Sequence, residues 1–164
     1  MDTSKPFNVL FLCTGNSARS ILAEGLLGHL GGDRFSAFSA GSEPAGTPHP
    51  AALSILADQG IDAGFARSKS WDEFAGPQAP QMDLIITVCT NAAGEVCPIW
   101  PGHPHSAHWG IDDPAAVTEP AAAVAAAFAA AFDRMYRRVG VLLALGNGPV
   151  ADQMDAIRAI GDME

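Results

Sequence analysis

The segment Phe7 to Leu30 constrains this chain more than any other. Phe7 to Leu12 (FNVLFL) is an apolar run with aromatic and β-branched members, bounded by Pro6 and by Thr14-Gly15-Asn16-Ser17, and it reads as a buried strand. From Ser20 to Leu30 the residues Ile21, Leu22, Leu26, Leu27 and Leu30 keep the spacing of one helical face, which Gly31-Gly32 then ends. Strand, tight loop and helix open a βαβ unit. The alternation continues with a strand at Phe35 to Ser39, a helix from Pro50 to Gln59 and one or two helical turns within Arg67 to Phe74. Strands follow at Met82 to Val88 and, more weakly, at Ala107 to Ile111, then a long helix opened by Thr118-Glu119-Pro120 and running to about Leu145, and a last one from Pro149 to Ile160. For 164 residues this predicts a single α/β domain over positions 1–164, a three-layer α/β/α sandwich on a four-stranded parallel sheet. In such sheets ligands lie beyond the carboxyl ends of the strands, which brings Cys13, Cys89 and Asp112-Asp113 to one edge.

Charge and cysteine usage narrow the chemistry. With 18 acidic against 9 basic side chains, a net charge of −9 and one short basic cluster (Arg134, Arg137, Arg138), no general field attracts nucleic acid or an anionic membrane. Any anion must be held locally. Three cysteines, Cys13, Cys89 and Cys97, are an odd set that argues against a secreted disulfide framework and for a reduced, cytoplasmic setting. Met1 to Pro6 has neither the basic region nor the apolar core of a signal peptide, and the alanine-rich Pro120 to Phe132 falls short of the ~20 residues of a membrane span. The stretch holding Pro98, Pro101, Gly102 and Pro104 is longer than connections usually are, a sign of a functional or mobile loop.

The run Cys13-Thr14-Gly15-Asn16-Ser17-Ala18-Arg19-Ser20 sits where the strand meets the helix. Such a loop can turn successive backbone N–H groups inward as a nest for a tetrahedral oxyanion, with the positive end of the helix beneath it. Arg19 adds a planar fork for two oxygens, and the same field favours the thiolate of Cys13 as a nucleophile near neutral pH. Asn16 can cross-brace the loop, and Ser17 or Ser20 can donate a hydroxyl hydrogen bond to Cys13. A carboxylic acid held over the anion would protonate the departing oxygen; the Asp-Pro step offers Asp113, with Asp112 as the adjacent alternative and helix capping as the competing role. Cys89, Cys97, His103, His105 and His108 lack the close pairs of a zinc site, so no metal centre is expected.

VLFLCTGNSARS resembles the phosphate-binding loop of the low-molecular-weight protein tyrosine phosphatase superfamily, more closely its arsenate reductase branch. SAGSEP (Ser39 to Pro44), RSKSWDEF (Arg67 to Phe74), ITVCTNAAGEVCPIWPG (Ile86 to Gly102) and HWGIDDP (His108 to Pro114) extend the likeness, in order, over nearly the whole chain. Ile21 follows Ser20 where the phosphatases usually carry proline, and Ala18 stands where many keep a second loop cysteine. The resemblance implies that Cys13 attacks arsenate, Cys89 attacks the sulfur of Cys13 and releases arsenite, and Cys97 then frees the site by pairing with Cys89. Asp113 matches the general acid. No tightly bound cofactor is implied; electrons come from a dithiol protein, thioredoxin in the first instance, with glutaredoxin or mycoredoxin as alternatives. Phosphate and sulfate are expected as competing oxyanions, and the chain as a monomer. The same loop leaves open a second reading, a phosphatase that hydrolyses phosphomonoesters through a Cys13 phosphocysteine. In related reductases a monovalent-cation site near the loop draws on residues matching Asn16, Glu24 and Ser39; the expectation here is that Lys69 supplies the charge in place of a metal ion, against the plainer view of Glu24 and Lys69 as surface charges.

Overall fold

The computed structural model describes residues 6–89, 105–146 and 148–163. In chain order they form β1 (Phe7–Cys13), α1 (Arg19–Leu30), β2 (Phe35–Gly41), α2 (Pro50–Asp58), β3 (Leu84–Thr87), β4 (Ser106–His108), α3 (Ala121–Ala144) and α4 (Val150–Ile160). Short 3-10 turns lie at Gly32–Arg34, Ala63–Phe65, Trp71–Phe74 and Pro114–Ala116. The strands make one parallel four-stranded sheet in the order β2-β1-β3-β4, flanked by helices as a three-layer α/β/α fold. Most of the proline-rich stretch between β3 and β4, with Cys97 and His103, lies outside the described residues.

β1 shows why its sequence is uninterruptedly apolar. Val9, Phe11 and Cys13 point into a cluster with Ile21, Leu22 and Leu26 of α1 and Phe128, Met135 and Val139 of α3. Leu10 and Leu12 point the other way, to Ala40, Met82 and Ile85, over which Phe38, Trp71 and Phe74 pack. Both faces of the central strand are dry, the pattern of a parallel sheet. From β1 the chain steps outward to β2, then returns past β1 to lay down β3 on its other side. The direction of winding thus reverses between β1 and β3, and a crevice opens there at the carboxyl ends. Cys13 ends β1, and the register that pairs Leu12 with Thr87 brings Cys89 out beside it.

Among the boundaries that differ from the sequence expectation, three have a structural cause in the contacts around them. Arg67 to Ser70 is not helical, because its backbone runs beside the end of β2: Gly41 N donates to Lys69 O at 2.9 Å and Gly41 bridges Ser70 in parallel. Only Trp71–Phe74 turns, capped by Ser70 Oγ, which accepts from Asp72 N at 3.0 Å. The last strand is Ser106–His108, not Ala107 to Ile111. Its pairing with β3 still continues through Trp109 N to Thr87 O and Ile111 N to Val88 O, but the carbonyl of Gly110 is diverted to Arg138 Nη1 at 3.3 Å. β3 is shorter than Met82 to Val88 because it has only that three-residue partner on one side.

Arg138 leaves the basic cluster seen in the sequence. Its side chain is buried, and Nη2 donates to the carbonyls of Gly161 at 3.2 Å and Met163 at 2.9 Å, fastening the end of α4. Trp109, also buried, donates Nε1–H to Ile157 O at 3.0 Å from below the same helix. Among the described residues no helix is long and apolar enough to cross a membrane.

Candidate active site

The loop after β1 owes its shape to where its carbonyls go. Those of Cys13, Thr14, Gly15 and Ser17 accept from the backbone N–H groups of Ser42, Glu43, Ala45 and His49 at 3.2, 2.9, 2.9 and 2.9 Å, and that of Ala18 from Leu22 N at 2.9 Å. Ser68 Oγ donates a further bond to Gly15 O at 3.0 Å. With its acceptors held outward, the loop keeps its amides for the interior, and Asn16 N already donates to Cys13 Sγ at 3.2 Å. Asn16 takes a φ of 48°, the left-handed region that asparagine tolerates better than most residues. Below the loop α1 begins with no side-chain cap and no acidic residue in its first turn, so its amides and dipole remain available to an anion.

A chain of side-chain hydrogen bonds runs from the sulfur into the protein. Asn16 Nδ2 donates to both Ser20 Oγ at 2.8 Å and Ser39 Oγ at 3.0 Å. Each hydroxyl then has its own proton to give: Ser39 donates to Glu24 Oε1 at 2.5 Å, and Ser20 is left to donate to Cys13 Sγ at 2.9 Å. Of the two serines proposed from the sequence, the structure therefore places Ser20 on the sulfur. Lys69 closes the network: its N–H donates to Asn16 Oδ1 at 2.9 Å, and Nζ donates to Arg67 O at 3.0 Å and Ser39 Oγ at 3.4 Å, with Glu24 Oε1 3.9 Å away. Glu24 and Lys69 are buried, which overturns the surface-charge view. Burial pushes the Glu24 carboxyl up, partly opposed by the Ser39 hydrogen bond and the Lys69 charge. Burial likewise pushes the Lys69 ammonium down, opposed first by Glu24.

Arg19 is 3% exposed. Nη1 donates to Ile111 O at 3.2 Å, and Nη2 stands 3.6 Å from Asp113 Oδ2. Asp113 Oδ1 accepts from Ala115 N at 3.0 Å and so caps the turn that Pro114 opens. The capping role and the position beside Arg19 thus belong to different oxygens of one carboxylate. Asp112 is exposed to solvent. Cys13 is a free, buried thiol, whereas Cys89, fully buried, is disulfide-bonded. Among the described residues no group of three or more His, Cys, Asp or Glu side chains converges as a metal site. His108 bonds Thr87 Oγ1 through Nδ1 at 2.7 Å, and burial, then the Arg138 charge, pushes its imidazole pKa down.

Two residues that hold the loop were not singled out in the sequence. His49 donates its N–H to Ser17 O and accepts from Ala51 N at 3.0 Å through Nδ1, capping α2 and pinning the loop at once; no signal in the chain marks it. Gly41 had one, a glycine at a strand end, where backbones often approach closely. A Cβ there would collide with Thr14 O and lie 3.0 Å from Asn16 N, atoms of the loop backbone that cannot swing aside. Gly41→Ala is therefore expected to cost about 1–3 kcal/mol in stability by overpacking. By displacing the loop it should also lower kcat/KM by about 10²-fold; thermal unfolding alongside steady-state kinetics checks both, and an unchanged kcat/KM would show that the loop does not depend on this contact.

A family profile described as Low molecular weight phosphotyrosine protein phosphatase matches residues 8–148. The chain belongs to this family. It is similar to the arsenate reductases of Halalkalibacterium halodurans and Bacillus subtilis, 41% identical to each over 107 residues, which cover 65% of this chain and 73% of each relative. Among solved structures, an arsenate reductase from Archaeoglobus fulgidus superposes with a TM-score of 0.63 at 30% identity, covering 80% of this chain and 98% of that one. A thioredoxin-dependent arsenate reductase from Corynebacterium glutamicum does so at 0.60 and 27%, over 88% of this chain and 63% of that longer one.

Proposed function

We propose that this family member reduces arsenate to arsenite with electrons from thioredoxin, in arsenic detoxification. The observation that carries the reading is the disulfide-bonded Cys89 leaving β3 beside the free Cys13 at the end of β1. A phosphatase needs a thiolate, an arginine and an acid; it has no use for a second redox-active sulfur in the crevice. Reduction of As(V) to As(III) takes two electrons, which two thiols give up on becoming a disulfide. In this reading the amides of Thr14 to Ser20 and the Arg19 fork bind arsenate, and the Cys13 thiolate, held by Ser20, attacks arsenic as Asp113 protonates the departing oxygen. Cys89 then attacks the Cys13 sulfur, arsenite leaves with the electron pair of the S–As bond, and Cys97 displaces Cys13 from Cys89. Thioredoxin reduces the Cys89–Cys97 disulfide, with glutaredoxin or mycoredoxin as alternative donors. Phosphate competes for the loop, and phosphomonoester hydrolysis through Cys13, Arg19 and Asp113 is a side activity of the same machinery.

The cation position beside the loop belongs, in this proposal, to Lys69. Nζ stands within 3.4 Å of Ser39 Oγ and 3.9 Å of Glu24 Oε1, so the charge a metal ion would bring is supplied by the chain. A cleft of about 610 Å³, bounded by Phe38, Phe65, Arg67, Glu73 and Phe74, reaches Glu24 and Lys69 from solvent. One assay tests both parts. Arsenate-dependent NADPH consumption in the presence of thioredoxin and its reductase is expected, at a rate independent of potassium. In Lys69→Ala the rate should fall about tenfold, the scale of one lost charge interaction near the loop, and recover with potassium admitted through the cleft. Phosphomonoester hydrolysis without arsenate-dependent NADPH consumption would overturn the reductase reading, and a strong potassium requirement in the unaltered enzyme would overturn the role of Lys69.

A further inference from the structure

β4 ends the sheet order β2-β1-β3-β4, and its outer side is covered by α4 and the end of α3. The amides of Trp109 and Ile111 face inward, to Thr87 O at 2.7 Å and Val88 O at 3.1 Å, so the alternate residues Ser106, His108 and Gly110 turn their carbonyls outward. Ser106 O accepts from Arg158 Nε of α4 at 3.1 Å, and Gly110 O accepts from Arg138 Nη1 of α3 at 3.3 Å. Between them a Cβ on Gly161, which ends α4, would collide with His108 O. Met154, Ile157 and Ile160 of α4 share one buried cluster with Trp109 and Ile111.

Arg138, only 2% exposed, spans this seam. While Nη1 holds Gly110 O, Nη2 donates to Gly161 O at 3.2 Å and Met163 O at 2.9 Å. Burying a guanidinium is costly, and a position that needed only to be filled would be better served by an apolar side chain. What the fork adds is direction. The peptide between Gly110 and Ile111 is held at both ends, its N–H by Val88 O and its carbonyl by Arg138. The next carbonyl along the chain, that of Ile111, accepts from Arg19 Nη1 at 3.2 Å, and Asp113 follows with Oδ2 3.6 Å from Arg19 Nη2.

We propose that Arg138 is a positioning residue for the reaction at Cys13: by locking the Gly110–Ile111 peptide to the end of α4, it sets where Asp113 stands against the oxyanion loop. The inference rests on the proposed role of Asp113 as proton donor. Arg138 acts through the strip it holds, not on the oxyanion itself. Arg19 is carried by α1 and keeps its place when Arg138 is removed, whereas the strip that carries Asp113 loses its outer anchor. Catalysis should therefore suffer more than oxyanion binding.

A cycle of Arg138→Met and Asp113→Asn in the full-length enzyme tests this, with kcat/KM for arsenate read as thioredoxin-coupled NADPH consumption. Arg138→Met, which fills the space without donors, is expected to lower kcat/KM at least about tenfold, within the 10² that a misplacement of about 1 Å can cost. Inorganic phosphate should still protect the Cys13 thiol from iodoacetamide at a concentration within about threefold of that for the unaltered enzyme. In Asp113→Asn, where no acid is left to misplace, the same change should lower kcat/KM by less than about threefold. Arg138→Lys keeps the buried cation without the fork; it should show the same pattern at smaller size and carries the test if Arg138→Met does not fold. An equal loss in both backgrounds, an undiminished kcat/KM in Arg138→Met, or a parallel loss of phosphate protection would refute the positioning role and leave the reductase reading standing. Absence of arsenate turnover in the unaltered enzyme would overturn that reading instead, and the same cycle is then read on hydrolysis of phenyl phosphate, whose poor leaving group needs the acid. Activity on neither substrate would refute the proton donor, and the role of Arg138 with it.

Discussion

Arg19→Ala is expected to lower kcat/KM for arsenate by about 10³-fold or more, since loss of one oriented donor to a developing oxyanion costs roughly 10²–10³ and this one carries a full charge. In a chain of net charge −9 no general positive field can stand in for it. Arg19 also ties the site together, bonding Ile111 O with one nitrogen and facing Asp113 with the other. Its removal leaves a buried carbonyl without that donor, at about 1–3 kcal/mol in stability, so thermal unfolding must accompany the kinetics. Arg19→Lys separates the two effects: it restores the charge without the fork, and should recover little of the activity. Substantial turnover in Arg19→Ala would mean that the oxyanion is bound elsewhere.

Cys89→Ser should abolish arsenate turnover, with NADPH consumption falling to the level seen without arsenate. The oxyanion loop, Ser20, Arg19 and Asp113 do not use this sulfur, so hydrolysis of an aryl phosphate by Cys13 should persist in the same variant. That split marks a lost electron path, where misfolding would remove both activities. Cys97→Ser is expected to stop one step later, releasing one arsenite per enzyme and trapping Cys13 and Cys89 as a disulfide visible by mass spectrometry under non-reducing conditions. Unaffected arsenate reduction in Cys89→Ser would sink the cascade.

The first expectation was reachable from a local, strongly patterned segment, and the second from the family resemblance that the segments around Cys89 and Cys97 carry. A Cys-x5-Arg loop between an apolar run and a helical face specifies its own geometry: the strand aims it, the helix supplies the dipole, and the arginine closes it. What surrounds the loop was less legible. Glu24 lies on α1 among residues that read equally well as a solvated face, and Lys69 lies in a charged stretch that reads as a helical turn. Their burial depends on Ser39 and Gly41 of β2 arriving alongside, from a distant part of the chain. Asp113 could be named from its proline neighbour, but not the division of its two oxygens between a backbone cap and Arg19.

The sequence by itself determined the parallel α/β architecture and the Cys-x5-Arg loop where the first strand meets the first helix, because strand and helix periodicity and a short loop are set by near neighbours; the order in which the cysteines are proposed to act comes from the family resemblance. Only the tertiary structure decided which serine bonds Cys13, that Lys69 is buried beside Glu24 and Ser39, and that Gly41 and His49 shape the loop. Each of these is a hydrogen bond or close contact whose geometry depends on segments far apart in the chain. Such contacts exist only once β2 has paired with β1, and no local pattern of residue types encodes the register that makes them.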